Sequence, residues 1–218
     1  MALYGKEKGG NAMNIQRTTH AGFYSAESCD LAEFETLVAR SLSQDDVPNA
    51  VSIERNIPIY DCEALADDLE KREPRRALMA EWAWILGQGP GVFVQKQAQT
   101  DHAAIDDATH AFERIIADEK AAGADAADHF AAAGSNDRVW NSLQKLCLAM
   151  PEVFLRYHAS PAMDAAAEAW LGPNYQMTAQ VNLVHPGGQA QQAHRDYHLG
   201  FQTAEVSAEY PAHVHDLS

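Results

Sequence analysis

The residues best suited to chemistry are His194 and Asp196, within the segment Ala193–Phe201. On a β-strand, side chains two positions apart point to the same side, so this imidazole and this carboxylate could converge on one metal ion. With a histidine from a distant strand they would form the 2-His-1-carboxylate set of mononuclear non-haem iron centres, which leaves coordination positions open for substrates and oxygen. The pair therefore predicts two of the three protein ligands of an Fe(II) site.

The spacing of this pair is weak evidence by itself. The sequence has 10 histidines and 31 acidic residues among 218, so a His-x-acid triplet is expected about once by chance. A motif of this kind needs a fitting structural context. That context is the segment before it, which reads as a strand, and the Pro186-Gly187-Gly188 turn between them.

The segment Tyr175–Val184 alternates apolar and polar residues, which predicts one β-strand with two different faces. Its apolar face can receive the preceding helices. Its polar face carries Gln180 and Asn182 and has no lysine or glutamate. Neutral amides can orient a ligand in a wet internal cavity without the cost of burying a charge. We therefore expect this face to line a cavity, and an ordinary exposed sheet face is the alternative interpretation.

The sequence before Asn174 predicts mainly helices, separated by a few short strands. Apolar residues recur at helical spacing, and several polar residues have the chemistry of helix starts. The helix that Asp61 starts is expected to be interrupted at Pro74. The predicted helices begin near Asp30, Asp61, Arg76, Asp101, Val139 and Ser160, and the predicted short strands are Val51–Ile53, Ile57–Tyr60 and Val92–Val94.

The bulk composition fits one globular domain over residues 1–218. The hydrophobic fraction is 46%, and no apolar run is long enough to span a membrane. The first twelve residues lack the apolar core of a secretory signal, and Cys29, Cys62 and Cys147 are far apart, so we expect a cytoplasmic protein with reduced thiols. The formal charge of −15 argues against a nucleic-acid-binding surface, which needs clustered lysine and arginine.

Three stretches of the sequence resemble the phytanoyl-CoA dioxygenase family, the Fe(II)- and 2-oxoglutarate-dependent oxygenases built on a double-stranded β-helix. They are Trp170–Asn174, the strand Tyr175–Val184 with its Pro186-Gly187 turn, and His194–His198. The resemblance implies an α+β fold, in which a mainly helical region, residues 1–172, packs on the opening strands of a cupin-like jelly roll, residues 173–218. This chain would not complete that jelly roll.

The resemblance also implies roles for the residues singled out above. His194 and Asp196 would be metal ligands, and Asn182, with Gln180 two positions away, would help to line the 2-oxoglutarate or substrate pocket. The implied cofactors are Fe(II) and 2-oxoglutarate, and the implied partners are O₂ and a small organic or acyl substrate. Because related halogenating enzymes have a small residue in place of the carboxylate, Asp196 favours hydroxylation.

The family's distal histidine ligand and its 2-oxoglutarate-binding arginine have no matching position in this sequence. His213 and His215 lie too close to Asp196, because the crossing between the two ligand strands of a jelly roll takes on the order of fifty residues or more. We therefore interpret the chain as the N-terminal portion of a longer enzyme. Two alternatives stay open: a cupin-like metal-binding protein that uses His213 and His215, and a non-catalytic interaction module.

We expect the 218-residue polypeptide to bind Fe(II) weakly and not to turn over 2-oxoglutarate, because it has no match for the distal histidine and the arginine. Incubation of the purified polypeptide with Fe(II), ascorbate and 2-oxoglutarate, followed by measurement of succinate, tests this expectation. Appreciable succinate release would contradict it. Tight binding of zinc or another metal in place of iron would favour the cupin-like alternative.

Overall fold

The computed structural model describes residues 30–123 and 136–188. The chain divides into two compact units, Met1–Leu37 with Gln192–Ser218, and Val38–Gln191. The described part of the first unit is the start of helix α1, Leu31–Val38. Asp30 begins this helix as predicted, because its Oδ1 accepts a hydrogen bond from the backbone N–H of residue 32 at 2.7 Å.

All the other described elements begin in the second unit. Strands β1, β2 and β3 form one small sheet, in which β2 pairs antiparallel with β1 and parallel with β3, and β4 pairs antiparallel with β5. The elements are β1 Ser52–Glu54, β2 Ile57–Asp61, α2 Ala66–Glu70, α3 Arg72–Gly87, β3 Val94–Lys96, α4 His102–Ala121, β4 Asn136–Val139, α5 Ser142–Ala149, α6 Pro151–His158, α7 Pro161–Leu171 and β5 Val181–Val184.

The turn between β1 and β2 is made by Arg55 and Asn56, which both have left-handed backbone conformations with φ of 52° and 67°. Two consecutive residues with positive φ match the twist of paired antiparallel strands, and asparagine adopts this conformation more readily than most residues. The side chain of Asn56 also ties the turn to the preceding loop. Its Oδ1 accepts from the N–H of Leu42 at 2.6 Å, and its Nδ2 donates to the carbonyl of Arg40 at 3.0 Å.

Helices α3 and α7 pack with β2 around the larger of two apolar cores. Trp82 of α3 stacks on Phe93 with 5.2 Å between ring centroids, and Tyr60 of β2 contacts both rings edge-on. Helix α7 contributes Ala162 and Ala165, whose short side chains let it lie close to its neighbours. The aromatic cluster therefore joins the three-stranded sheet to the helices.

Charged and polar contacts tie α3 to its neighbours beside this core. Arg75 of α3 donates to Asp164 at 2.7 Å and to Glu168 at 2.8 Å, both on α7. Glu81 accepts a hydrogen bond of 2.5 Å from the hydroxyl of Tyr60. Burial, together with this carboxylate, raises the pKa of Tyr60 far above its ordinary value, so the hydroxyl remains a donor at any physiological pH.

Helices α4, α5 and α6 pack around a second, smaller core. Asp101 begins α4 as predicted, because its Oδ1 accepts from the N–H of Ala104 at 3.0 Å. The same carboxylate binds Arg156 of α6, with Nε 2.9 Å from Oδ2, and so links the two helices. The buried residues of this core are Ala108, Ala111, Leu146 and Val153.

Several predicted boundaries differ from the observed ones. The sequence predicts Val139 on a helix, which is wrong: Val139 ends β4, and a turn with Asn141 at φ 52° separates it from α5. Of the predicted strand Tyr175–Val184, only Val181–Val184 pairs with a neighbour, because β4 offers four residues. Pro74 does not interrupt a helix as predicted, because it lies in the first turn of α3. Backbone N–H groups of the first turn have no intrahelical hydrogen-bond acceptor, so proline costs no hydrogen bond there.

The fold class is confirmed at the level of mixed helices and strands. Within residues 30–123 and 136–188 the structure has two small sheets and no closed barrel. The incomplete jelly roll and the division at residue 172 stay predictions.

The hydroxyl of Ser160 should stabilise the start of α7, because it makes two hydrogen bonds to the backbone. It is buried, donates to the carbonyl of Ala98 at 2.5 Å and accepts from the N–H of Met163 at 3.3 Å. We expect Ser160→Ala to lower the free energy of unfolding by about 1–2 kcal/mol, since two backbone groups lose this partner. Urea unfolding followed by circular dichroism measures the change. The control Ser43→Ala removes an exposed hydroxyl bonded to Asp46 and should cost less than about 0.5 kcal/mol. Equal losses in the two variants would contradict the prediction.

Candidate functional site

The strand pair β4–β5 carries Asn182, one of the two amide residues predicted to line the co-substrate pocket, and Gln180 lies just ahead of β5. Asn182 of β5 lies directly opposite Arg138 of β4 in the register. Opposite residues of an antiparallel pair share one face of the sheet, so these two residues lie on the same side. β4 is buried along its whole length, whereas Asn182 is exposed. The pair therefore combines a buried supporting strand with an accessible one.

The face that contains Asn182 has chemistry suited to an anionic ligand. Gln180, two positions earlier, is exposed as well. The guanidinium of Arg138 lies 5.1 Å from the ring centroid of Trp140, a cation–π distance, and Arg138 is buried. The exposed neutral amides can hydrogen-bond carboxylate oxygens without adding charge. Gln180 and Asn182 are called the amide row below.

Ser142, the first residue of α5, holds the chain just upstream of β5. Its buried hydroxyl donates to the carbonyl of Ala179 at 2.8 Å, and its backbone N–H donates to the same carbonyl at 3.2 Å. Two donors from one residue fix this carbonyl in position. The chain thus enters β5 at a point that the start of α5 determines.

Asp137 holds the chain just downstream of β5. Its Oδ2 lies 2.8 Å from Nε2 of His185, and its Oδ1 lies 2.7 Å from Nζ of Lys120 in the last turn of α4. An ionised carboxylate only accepts hydrogen bonds, so Nε2 is the nitrogen of His185 that carries a proton. Lys120, Asp137 and His185 form what is called the carboxylate junction below.

The carboxylate junction keeps Asp137 ionised, although its side chain is only 10% exposed. The hydrogen bond from Lys120 lowers the pKa of Asp137 most, and the hydrogen bond from His185 lowers it further. Burial acts in the opposite direction and does not overcome these contacts. The pKa of Asp137 therefore lies below its ordinary value, and the group is a carboxylate at neutral pH.

The predicted metal ligands His194 and Asp196 lie outside the described residues, as do His213 and His215. Within residues 30–123 and 136–188, no group of three or more His, Cys, Asp or Glu side chains is arranged to hold a metal ion. The same part of the chain has no helix that is both long and apolar enough to cross a membrane. The structure therefore describes the amide row and its support, and the metal ligands stay a prediction from the sequence.

Sequence reasoning missed the carboxylate junction. Lys120 and Asp137 are 17 positions apart, and Asp137 and His185 are 48 positions apart, so no local spacing joins them. The available signal was the basic residue at the end of a long predicted helix, which commonly interacts with groups beyond that end. Asp137 itself gave no signal, because a polar triplet does not resemble a buried strand.

A family model described as phytanoyl-CoA dioxygenase (PhyH) matches residues 50–215. The chain belongs to the phytanoyl-CoA dioxygenase family. The resemblance drawn from the sequence is thereby confirmed, and the match includes Gln180, Asn182, His194 and Asp196. Membership supports a dioxygenase-type enzyme, and the family generally depends on Fe(II) and 2-oxoglutarate. No curated protein and no solved structure matched the chain.

The lowered pKa of Asp137 predicts a pH-dependent contribution to stability. The contribution is present above the unfolded-state value of about 3.9 and is lost as the pH falls through the folded-state value. We expect Asp137→Asn to reduce the free energy of unfolding at neutral pH, with a difference from wild type that shrinks below about pH 4. Urea unfolding across this pH range measures the difference.

The matched control for this prediction is Asp67→Asn. Asp67 forms an exposed ion pair with Lys71, with an exposed fraction of 86% for the aspartate side chain. Pairs of this kind contribute little, so the control should track wild type at each pH. A destabilisation by Asp137→Asn that stays constant down to acid pH would contradict the assigned charge state.

Proposed function

We propose that this protein is a non-haem Fe(II)- and 2-oxoglutarate-dependent dioxygenase that hydroxylates a small organic or acyl substrate. The observation that carries the proposal is the family match over residues 50–215, which contains His194 and Asp196. The accessible amide row supports it from the structure. Its partners would be the substrate, 2-oxoglutarate and O₂, and a cytoplasmic location remains part of the proposal.

The donor chemistry of the proposed ligands fits Fe(II). The imidazole of His194 and the carboxylate of Asp196 are two of the three ligand types in the 2-His-1-carboxylate triad. A second histidine would complete that triad. With 2-oxoglutarate, the bound metal would supply the oxygen activation that hydroxylation requires. The carboxylate of Asp196 would occupy the position that a halide needs, which favours hydroxylation over halogenation.

The chain's own residues would bind and orient the co-substrate. Asn182 and Gln180 each offer one acceptor and two donors, so they can contact carboxylate or keto oxygens without adding charge. Arg138 lies across from Asn182 on the paired strand. We infer that β4 and β5 form one wall of the co-substrate pocket.

The proposed residue roles predict different responses to two substitutions. We expect His194→Ala to weaken Fe(II) binding by about tenfold or more, because it removes a ligand. We expect Asn182→Ala to leave Fe(II) binding unchanged and to weaken 2-oxoglutarate binding about tenfold, which corresponds to one lost hydrogen bond. Anaerobic calorimetric titration with Fe(II), and then with 2-oxoglutarate, measures both affinities.

The matched control is Asn174→Ala, which removes an exposed asparagine ahead of β5 and should change neither affinity. Unchanged Fe(II) affinity in His194→Ala would contradict the ligand assignment. Zinc binding that depends on His213 and His215 would support the cupin-like alternative. Normal cellular function of the His194→Ala variant would support the non-catalytic module.

A further inference from the structure

β5 is anchored on both sides of Asn182 at equal distances along the chain. Ser142 holds the carbonyl of Ala179, three positions before Asn182, and Asp137 holds the side chain of His185, three positions after it. Between these two anchors the strand pairs with β4 through four residues. Asn182 therefore lies in the middle of a short segment that is fixed at both ends.

Within the part of the chain that the structure describes, these two anchors supplement a strand whose side chains are mostly exposed. Asn182, Leu183 and Val184 are exposed, so burial of their side chains contributes little to keeping the strand in place. Pairing through four residues contributes little stability by itself. The contacts at residues 179 and 185 therefore add to the order of this strand.

The contact between Asp137 and His185 links the end of β5 to helix α4. Lys120 closes the last turn of α4 and binds Asp137, and Asp137 binds His185. The backbone of His185 is held as well, since its carbonyl accepts from the N–H of Gly188 at 2.8 Å across the turn that follows. Gly187 in this turn has φ of 85°, a backbone conformation that glycine adopts without steric cost. It lets the chain turn sharply after β5.

We propose that Asp137 is a positioning residue for 2-oxoglutarate, which acts by holding His185 so that Asn182 is presented in the geometry that the co-substrate requires. The inference rests on the proposed function, because it takes 2-oxoglutarate as the ligand of Asn182. Asp137 is opposite Leu183 in the register and so lies on the other face of the strand pair from Asn182. Its effect on the co-substrate is therefore indirect.

The test compares Asp137→Asn, His185→Ala, His185→Gln and the double variant Asp137→Asn/His185→Ala. Calorimetry measures 2-oxoglutarate affinity with Mn(II) as a redox-inert replacement for Fe(II), at a temperature where circular dichroism shows every variant folded. Hydrogen exchange read by mass spectrometry reports the protection of residues 181–185. Asp67→Asn, in its exposed ion pair with Lys71, is the matched control and should behave as wild type in both measurements.

We expect Asp137→Asn and His185→Ala each to weaken 2-oxoglutarate binding up to about tenfold, which corresponds to the loss of one well-placed hydrogen bond from Asn182. Exchange in residues 181–185 should rise in both variants. The double variant should lose no more than the worse single variant, because both changes break the same contact. His185→Gln should retain most of the affinity, since its Nε2 can donate to the Asp137 carboxylate in place of the imidazole.

A purely structural role would lower the unfolding temperature and leave the affinity of the folded variants unchanged, and that result would overturn the proposal. Additive losses in the double variant, or failure of His185→Gln to retain affinity, would overturn it as well. Failure of the proposed function has a different signature: wild type would show no 2-oxoglutarate binding even at Mn(II) and 2-oxoglutarate concentrations high enough to fill the weak metal site expected of this chain. In that case unchanged exchange in Asp137→Asn would also refute the anchoring of β5, and raised exchange would limit Asp137 to a structural role.

Discussion

Burial of charge in β4 is the constraint on which the candidate site depends. Asn136, Asp137 and Arg138 are each less than 10% exposed, and a buried ionised group is tolerated only when it is paired and hydrogen-bonded. Asp137 meets this requirement through Lys120 and His185. The carboxylate of Asp137 therefore brings together the end of α4, the middle of β4 and the residue that follows β5. These contacts fix the position of the four-residue strand β5.

The helices α4, α5 and α6 are the scaffold for this meeting point. Their core uses Ala108 and Ala111, and such short side chains permit helices to approach closely. Ser142 begins α5 and also holds the carbonyl of Ala179, so the position of that helix fixes where the chain enters β5. Lys120 does the same from the end of α4. Helix packing therefore determines the position of a strand that is itself mostly exposed.

Features determined by local chemistry could be predicted from the sequence, and features determined by distant contacts could not. Asp30, Asp101 and Ser160 begin helices as predicted, because a cap needs only a side-chain oxygen within three residues of a free N–H. The alternation before Val184 likewise predicted β5, although the predicted strand began six residues before the observed one. β4 was missed, since a strand rich in polar residues becomes stable only when partners far along the chain reach it.

The same distinction applies within the candidate site. The residues that would touch the co-substrate are exposed and have recognisable chemistry, so a strand pattern and a family resemblance are enough to predict Gln180 and Asn182. The residues that hold this segment lie on the other face of the strand pair or at its ends; two of them, Asp137 and Ser142, are buried, and together these residues show no motif. If the amide row binds the co-substrate as proposed, its geometry would depend on this second set as well, because an amide that shifts by a fraction of an ångström loses the directionality of its hydrogen bonds. Under that proposal the ionised, paired Asp137 is the group that would hold Asn182 in place.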